Sequence, residues 1–508
     1  MSKLSARLRL TLLALILQIV IAGVIAVFII NRFPPVAYVG IVTTILALFF
    51  ILKKDEASAY KILWIIVMLA FPPLGGVAYL LFGNMRHTKK IRVHANEHAL
   101  IAKLLDGDGN LPFINQIACG RMYSLMRYIR KTSSYHAYRN TQTKYYTLGE
   151  SKFEDMIYAL EQAKHYIFLE YFIIYKSEMW ERLLEVLLRK VNEGIEVRLI
   201  IDDFGSQRLF TNVYIEKLEA QGIKTLRFNP MIPFFLLFMN NRDHRKILVI
   251  DGHTAFCGGL NISDEYINKN SPFGIWKDTG LRLTGEGVWS FTLMFIEMWD
   301  TFCETKERIN DYTLYKSKSL HVENSKTDGF VLPFGDTPLD EEQLSENIYV
   351  DILHQAKDYI YIFTPYLIIS EKMIHALQMT AKRGVDVRLI LPGIPDKKII
   401  FQLTRSYYTY LYKAGVKIYE YTPGFLHAKS LVCDDEIAIV GTINLDYRSL
   451  YLHFECGTLL YQSSVIKDIK EDALQTIAGS QEVQQDERKS SGWGELLDAI
   501  LHLFSPLL

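Results

Sequence analysis

Cysteine is scarce in this chain, and neither sign of charge prevails. The 508 residues hold five cysteines, Cys119, Cys257, Cys303, Cys433 and Cys456, odd in number, widely spaced and without a C-x-x-C pair. That excludes a disulfide scaffold and favours reduced thiols in a domain facing the cytosol. Cys257 and Cys433 read as small buried strand residues. Lysine plus arginine number 56 and aspartate plus glutamate 56, so no global field draws in nucleic acid, and any preference for phosphate is local. No Cys/His cluster of zinc-ligand spacing accompanies the motifs below, so no metal is expected in their chemistry. Apolar residues are plentiful, half of the total. The length suggests more than one domain.

The N-terminus carries three apolar stretches. Leu10–Ile30 has only Thr11 and Gln18 as polar residues and is long enough to span a bilayer core, and 36–52 lies near the lower limit. A second stretch follows the first at once and no small-x-small site closes it, which argues for a retained anchor over a cleaved signal peptide. The third, Ile62–Phe82, is broken by Pro72-Pro73-Leu74-Gly75-Gly76 and reads as a segment that returns to its own side. The clusters Lys3/Arg7/Arg9, Lys53/Lys54/Lys61 and Arg86/Lys89/Lys90/Arg92 then all face the cytoplasm, as the positive-inside rule requires. Residues 1–86 are expected to form a multi-pass membrane anchor and 87–140 a polar helical linker. A tail at 481–508 carries Trp493, Leu496, Leu497, Ile500, Leu501, Leu503 and Phe504 at helical spacing.

From Tyr145 strands and helices alternate, and they do so twice. The run Ala163–Tyr171 answers Ala356–Thr364, Gly194–Ile201 answers Gly384–Leu391, and Gly222-Ile-Lys answers Gly415-Val-Lys, at a nearly constant offset. The expected architecture is α/β, a duplicated sandwich of halves 141–320 and 321–480 packed face to face.

Each half carries one copy of a device. His244–Asn261 reads HRKILVIDGHTAFCGGLN and His427–Asn444 reads HAKSLVCDDEIAIVGTIN, each an H-x-K-x4-D followed by a small-residue pair and an asparagine. On a strand, side chains two apart share a face, so His244 and Lys246, like His427 and Lys429, make an anion site. Asp251-Gly252 is a hairpin signal, and Asp251 and Asp434 are placed to fix a turn. Small residues at Gly258-Gly259 and Gly441-Thr442 let backbone approach a ligand, with Asn261 and Asn444 able to donate to its oxygens.

Two such motifs are the hallmark of the phospholipase D superfamily, which this chain resembles from about residue 140 to 480. It is similar more narrowly to bacterial cardiolipin synthases, because the motifs follow a membrane-spanning N-terminus and the second continues into Leu445-Asp446-Tyr447-Arg448-Ser449. The resemblance groups His244, Lys246, Asp251, His427, Lys429 and Asp434 as catalytic. It implies phosphatidyl transfer through a phosphohistidine, condensing two phosphatidylglycerols into cardiolipin and glycerol at the cytoplasmic face of the cell membrane. The motif His nearer the N-terminus is then the nucleophile, which puts His244 in that role and His427 in that of acid/base. A downstream acid pairs with each motif His, which points to Asp278 after His244 and Glu455 after His427, both in acid-x-Gly triplets.

The residues themselves support phosphodiester exchange without a metal or organic cofactor. One imidazole attacks phosphorus while the other donates a proton to the leaving oxygen, then takes one from the acceptor. Lys246, Lys429, Asn261 and Asn444 hold the non-bridging oxygens. A hydrolytic phospholipase D, or a transphosphatidylase using another alcohol, differs only in the acceptor. Membrane lipid is the expected partner and nucleic acid is not. The apolar run Asn229–Asn240 either admits acyl chains or fills core.

Overall fold

The computed structural model describes residues 34–54, 58–71, 120–133, 135–230, 241–303, 311–317, 329–340 and 342–484, with a few shorter stretches besides. The first apolar stretch, most of the linker, the apolar loop from residue 231 to 240 and nearly all of the tail lie outside the described residues.

Two N-terminal helices, Pro34–Lys53 and Ser58–Ala70, belong to the first of two compact units. Ala47, Ile51, Met68 and Tyr79 make its small core. The rest of these helices is apolar on the outside: Tyr38, Val39, Val42, Leu46, Phe49, Leu52 and Leu69 are all more than half exposed. No helix among the described residues is long and apolar enough to cross a membrane, so the transmembrane helices expected from the sequence are not seen as such.

The second unit is an α/β body of two sheets. Its first half supplies β1 (Thr141–Tyr146), β2 (Tyr166–Tyr171), β3 (Glu196–Asp202), β4 (Ile223–Phe228), β5 (Lys246–Ile250), β6 (Thr254–Gly258), β7 (Ile275–Lys277) and β8 (Gly280–Gly285). Its second half supplies β9 (Phe330–Asp336), β10 (Tyr359–Phe363), β11 (Leu367–Ile368), β12 (Asp386–Pro392), β13 (Lys417–Tyr421), β14 (Gly424–Leu426), β15 (Ser430–Cys433), β16 (Ile437–Gly441), β17 (Leu445–Asp446), β18 (Glu455–Tyr461) and β19 (Ser480–Glu482). The first sheet runs β1-β8-β6-β5-β2-β3-β4 and the second β9-β18-β16-β15-β10-β12-β13-β19. With β19 set aside, the two orders are the same. β2, β3 and β4 are parallel, and β5, β6, β8 and β1 join them antiparallel.

Local chemistry explains these elements. Ser177 caps the helix Glu178–Asn192, its side chain accepting from the N–H of Trp180, and basic residues fill the last turn. The chain then turns into β3 through Gly194 at φ +85°, and the matching Gly384 stands at +94°, a left-handed conformation that favours glycine after a helix. β2 is apolar throughout except for Glu170, and every residue is buried, as a central strand covered on both faces must be. The helix Val288–Phe302 is mostly apolar and buried on nearly every side because it is packed on β2 and β5 of one half and β9 of the other. Within it Phe295 and Trp299 stack at 6.0 Å. The sheets meet where β6 and β8 lie against β16.

A short exchange of backbone locks the halves together. β14 pairs in parallel with β7 of the other half, and Asp243 bridges Phe454 in the same sense. The N–H of His427 donates to the carbonyl of Lys277 at 2.7 Å, and that of His244 to the carbonyl of Phe454 at 2.9 Å. Each motif histidine is thus bonded to the residue immediately before an acid of the opposite half.

Candidate active site

The exchanged strands decide which acid holds which histidine. His244 Nδ1 lies 2.8 Å from Glu455 Oε1, and His427 Nδ1 lies 2.7 Å from Asp278 Oδ2. The pairing expected along each half is therefore corrected: the acids are Asp278 and Glu455, but each serves the histidine of the other half. An ionised carboxylate can only accept, so each Nδ1 carries the proton and each Nε2 keeps its lone pair.

The acids are held in turn. Glu455 Oε2 accepts from the hydroxyl of Thr442, and Arg245 Nε donates to the Glu455 carbonyl at 3.2 Å. Asp278 Oδ1 accepts from the N–H of Thr279 at 2.8 Å. A side chain at Gly259 would collide with the Asp278 carboxylate, so the small residue makes room for the acid. That refines the expectation of a ligand approaching backbone at this pair.

Lys246 and Lys429 are fully buried, and each ammonium donates to the carbonyl of its own motif histidine. One of its three protons is used in this way. Burial lowers Lys246 to about 8 and Lys429 to about 7, against the upward pull of Glu455 on the first and Asp278 on the second. Burial likewise pushes His244 well below the usual imidazole range, assisted by Lys246, Lys429 and His427, and takes His427 to about 4. Burial also pushes Asp278 up, but His427 and Lys429 beside it outweigh that and hold it low. The site thus holds two imidazoles whose charging burial opposes, each with a buried lysine and a carboxylate beside it.

The motif aspartates are bonded elsewhere, and the asparagines are held by neighbours of their own. Asp251 accepts from the N–H groups of Lys164, His165 and Tyr166, and Asp434 from those of Lys357, Asp358 and Tyr359, at 2.7–2.9 Å. Both adopt positive φ, +54° and +52°. They tie the motif hairpin to the start of the neighbouring strand and do not touch the histidines, so the geometry separates them from the catalytic set in which the motif groups them. Asn261 accepts from the N–H of Ile173 at 3.2 Å and donates to the Tyr266 hydroxyl at 2.7 Å. Asn444 donates to Asp446 Oδ2 at 3.0 Å, and its own Oδ1 is buried without a hydrogen-bond partner.

Sequence reasoning missed the aromatic walls and a third imidazole. Phe172 stands edge-on to His244 at 5.0 Å, and Tyr266 to His427 at 5.4 Å. His453 lies beside His244 with ring centroids 5.6 Å apart. Ligand atoms of His244, His453 and Glu455 fall within 4.8 Å of one another. Aligning the two acid-x-Gly triplets would have drawn attention to His453, two residues before Glu455. His94 and His98 have the spacing of a helical zinc pair, and lie outside the described residues.

Comparison with known proteins assigns this architecture to a class. A family described as cardiolipin synthase, PLD-like domain, matches residues 156–279 and again 349–476, and one described as phospholipase D-nuclease N-terminal matches 42–84. The α/β body is thus a duplicated phospholipase D-like fold. The chain is 35% identical over 477 residues to a cardiolipin synthase of Halalkalibacterium halodurans, covering 93% of this chain and 92% of that one. A cardiolipin synthase of Geobacillus kaustophilus is 36% identical, covering 90% of each. An uncharacterized protein of Streptococcus mutans is 44% identical over 88% of this chain and 96% of its own. A solved phosphatidylserine synthase of Haemophilus influenzae shares the fold, with a TM-score of 0.57 at 17% identity, over 76% of this chain and 98% of that one. The chain belongs to the cardiolipin synthases, phospholipid phosphatidyltransferases, and is an enzyme.

Proposed function

We propose that the enzyme joins two phosphatidylglycerols into cardiolipin and glycerol through a phosphatidyl group carried on a histidine. The supporting observation is the crossed pairing of His244 with Glu455 and His427 with Asp278, which engages both Nδ1 atoms and leaves the Nε2 lone pairs to react. His244 Nε2 forms the bond to phosphorus, and the glycerol oxygen leaves with a proton from His427. The arriving phosphodiester charge favours the imidazolium that burial otherwise opposes. A hydroxyl of the second phosphatidylglycerol then gives its proton back to His427 and attacks phosphorus, which frees His244. Lys246 and Lys429 supply charge to the non-bridging oxygens, and Asn261 and Asn444 supply donors. Asp278 and Glu455 orient the rings, and Asp251 and Asp434 hold the hairpins that carry them. The reaction needs no metal or cofactor.

Membrane attachment through residues 1–86, with the catalytic body in the cytoplasm, fits the apolar outer faces of the helices Pro34–Lys53 and Ser58–Ala70 and the lipid substrate. The experiment is incubation of the purified full chain with phosphatidylglycerol in detergent, followed by product analysis. Cardiolipin with equimolar glycerol is expected. Phosphatidic acid as the main product would establish a hydrolase in its place.

A further inference from the structure

Positions 276 and 453 correspond in the two halves, each two residues before the acid that holds the opposite half's histidine. Trp276 lies over His427, ring centroids 5.5 Å apart and planes at 48°, and His453 lies over His244 at 5.6 Å and 45°. The geometry repeats while the residue type changes. Tyr266 and Phe425 join Trp276 around His427, so that side is an aromatic box. On the other side an imidazole takes the tryptophan's place.

His453 is fixed but unsatisfied. Its backbone N–H donates to the Arg448 carbonyl at 2.9 Å, and its side chain is only 10% exposed. Neither ring nitrogen has a hydrogen-bond partner. Glu455 Oε1 lies 3.8 Å from Nδ1, beyond hydrogen-bond reach, and the carboxylate is drawn to His244 and Thr442, from which its two oxygens accept. A buried polar group left unpaired costs about 1–3 kcal/mol, and such groups in native folds have a reason. A ligand atom that arrives with the substrate is one.

We infer that His453 binds the phosphoryl group itself, donating a ring N–H to a non-bridging oxygen of the phosphatidyl group carried on His244. The inference rests on the proposed reaction and goes beyond it by marking the two sides of the site as unequal. His453 is the donor that distinguishes the side where the group is parked from the aromatic side where alcohols come and go. The same atoms of His244, His453 and Glu455 would suit a divalent cation in a neutral setting. Against the one carboxylate, Glu455, stand four basic side chains: Lys246, Lys429 and Lys397 act on His244, and Arg448 on His453. They favour an anion.

The test compares the full-length enzyme with His453→Phe, which keeps ring bulk without a donor, and His453→Asn, which keeps a donor with less bulk. The Phe variant is expected to lose about 100-fold in kcat, the order seen for one oxyanion donor, with KM within about threefold, since the contact is made to the reacting group. The Asn variant is expected to stay within about tenfold of wild type, as a retained neutral donor should allow. The opposite ranking, Phe tolerated and Asn inactive, marks a packing role and overturns the inference. If the wild type turns over no phosphatidylglycerol, the reaction proposed above fails, and calorimetric titration with inorganic phosphate decides for His453 alone. Phosphate binding weakened in the Phe variant but kept in the Asn variant supports it, and equal affinities in all three proteins overturn it. A stoichiometric cobalt(II) spectrum in wild type that both variants lose would make this a metal site and overturn it as well.

Discussion

At the residue scale Glu455 and Asp278 lie on the Nδ1 atoms of His244 and His427, and the proposed reaction has them fix which imidazole nitrogen meets the substrate. Replacing the acid by its amide keeps the shape but allows the amide N–H to stabilise the wrong tautomer. Glu455→Gln and Asp278→Asn are each expected to lower kcat by up to about ten-thousandfold, with KM within a few fold, by analogy with the amide substitution in a serine-protease triad. Turnover at the wild-type rate in either variant would remove that acid from the mechanism. The buried lysines give a pH signature. Lys429 at about 7 and Lys246 at about 8 are charged below those values and lose the proton above them. Inorganic phosphate should therefore inhibit more weakly as pH rises from 6 to 9, measured as a rising competitive constant; a constant that falls over that range contradicts a lysine-lined anion site. The spacing of the motif named these lysines, but not their burial, because depth depends on what covers the strand.

At the scale of elements, the motif hairpin is the unit that was most legible. Apolar Ile247–Ile250, the turn signal at Asp251-Gly252 and the small-residue return defined it from local chemistry alone. The structure adds that Asp251 and Asp434 reach sideways to three backbone N–H groups each at the start of β2 and β10. Asp251→Ala is expected to destabilise the chain by about 2 kcal/mol through loss of these charge-assisted bonds, read as a lower urea midpoint. An unchanged midpoint would show that water replaces the carboxylate without cost. What the elements could not disclose is the exchange of β7 and β14. Both are three residues long, too short for periodicity to register, and their pairing joins residues far apart in the chain. The buried ion pair of Lys277 with Asp472 at 2.7 Å pins β7 to the second half.

At the scale of the whole molecule, the site exists because two copies of one fold face each other, and neither copy contains a complete histidine–acid pair. The N-terminal helices carry apolar outer faces that water does not favour. On extraction of membranes with alkaline carbonate the full chain is expected in the pellet; release into the supernatant would show that these faces are covered by protein and not by lipid.

The sequence by itself determined the duplication, the two motifs and the α/β alternation, because each is written in local spacing and in the likeness of one segment to another. Tertiary structure alone decided which acid lies on which histidine and that His453 stands beside His244. Those relations join residues from opposite halves, and they are set by how two sheets pack and exchange short strands, a geometry to which no spacing along a single chain is sensitive.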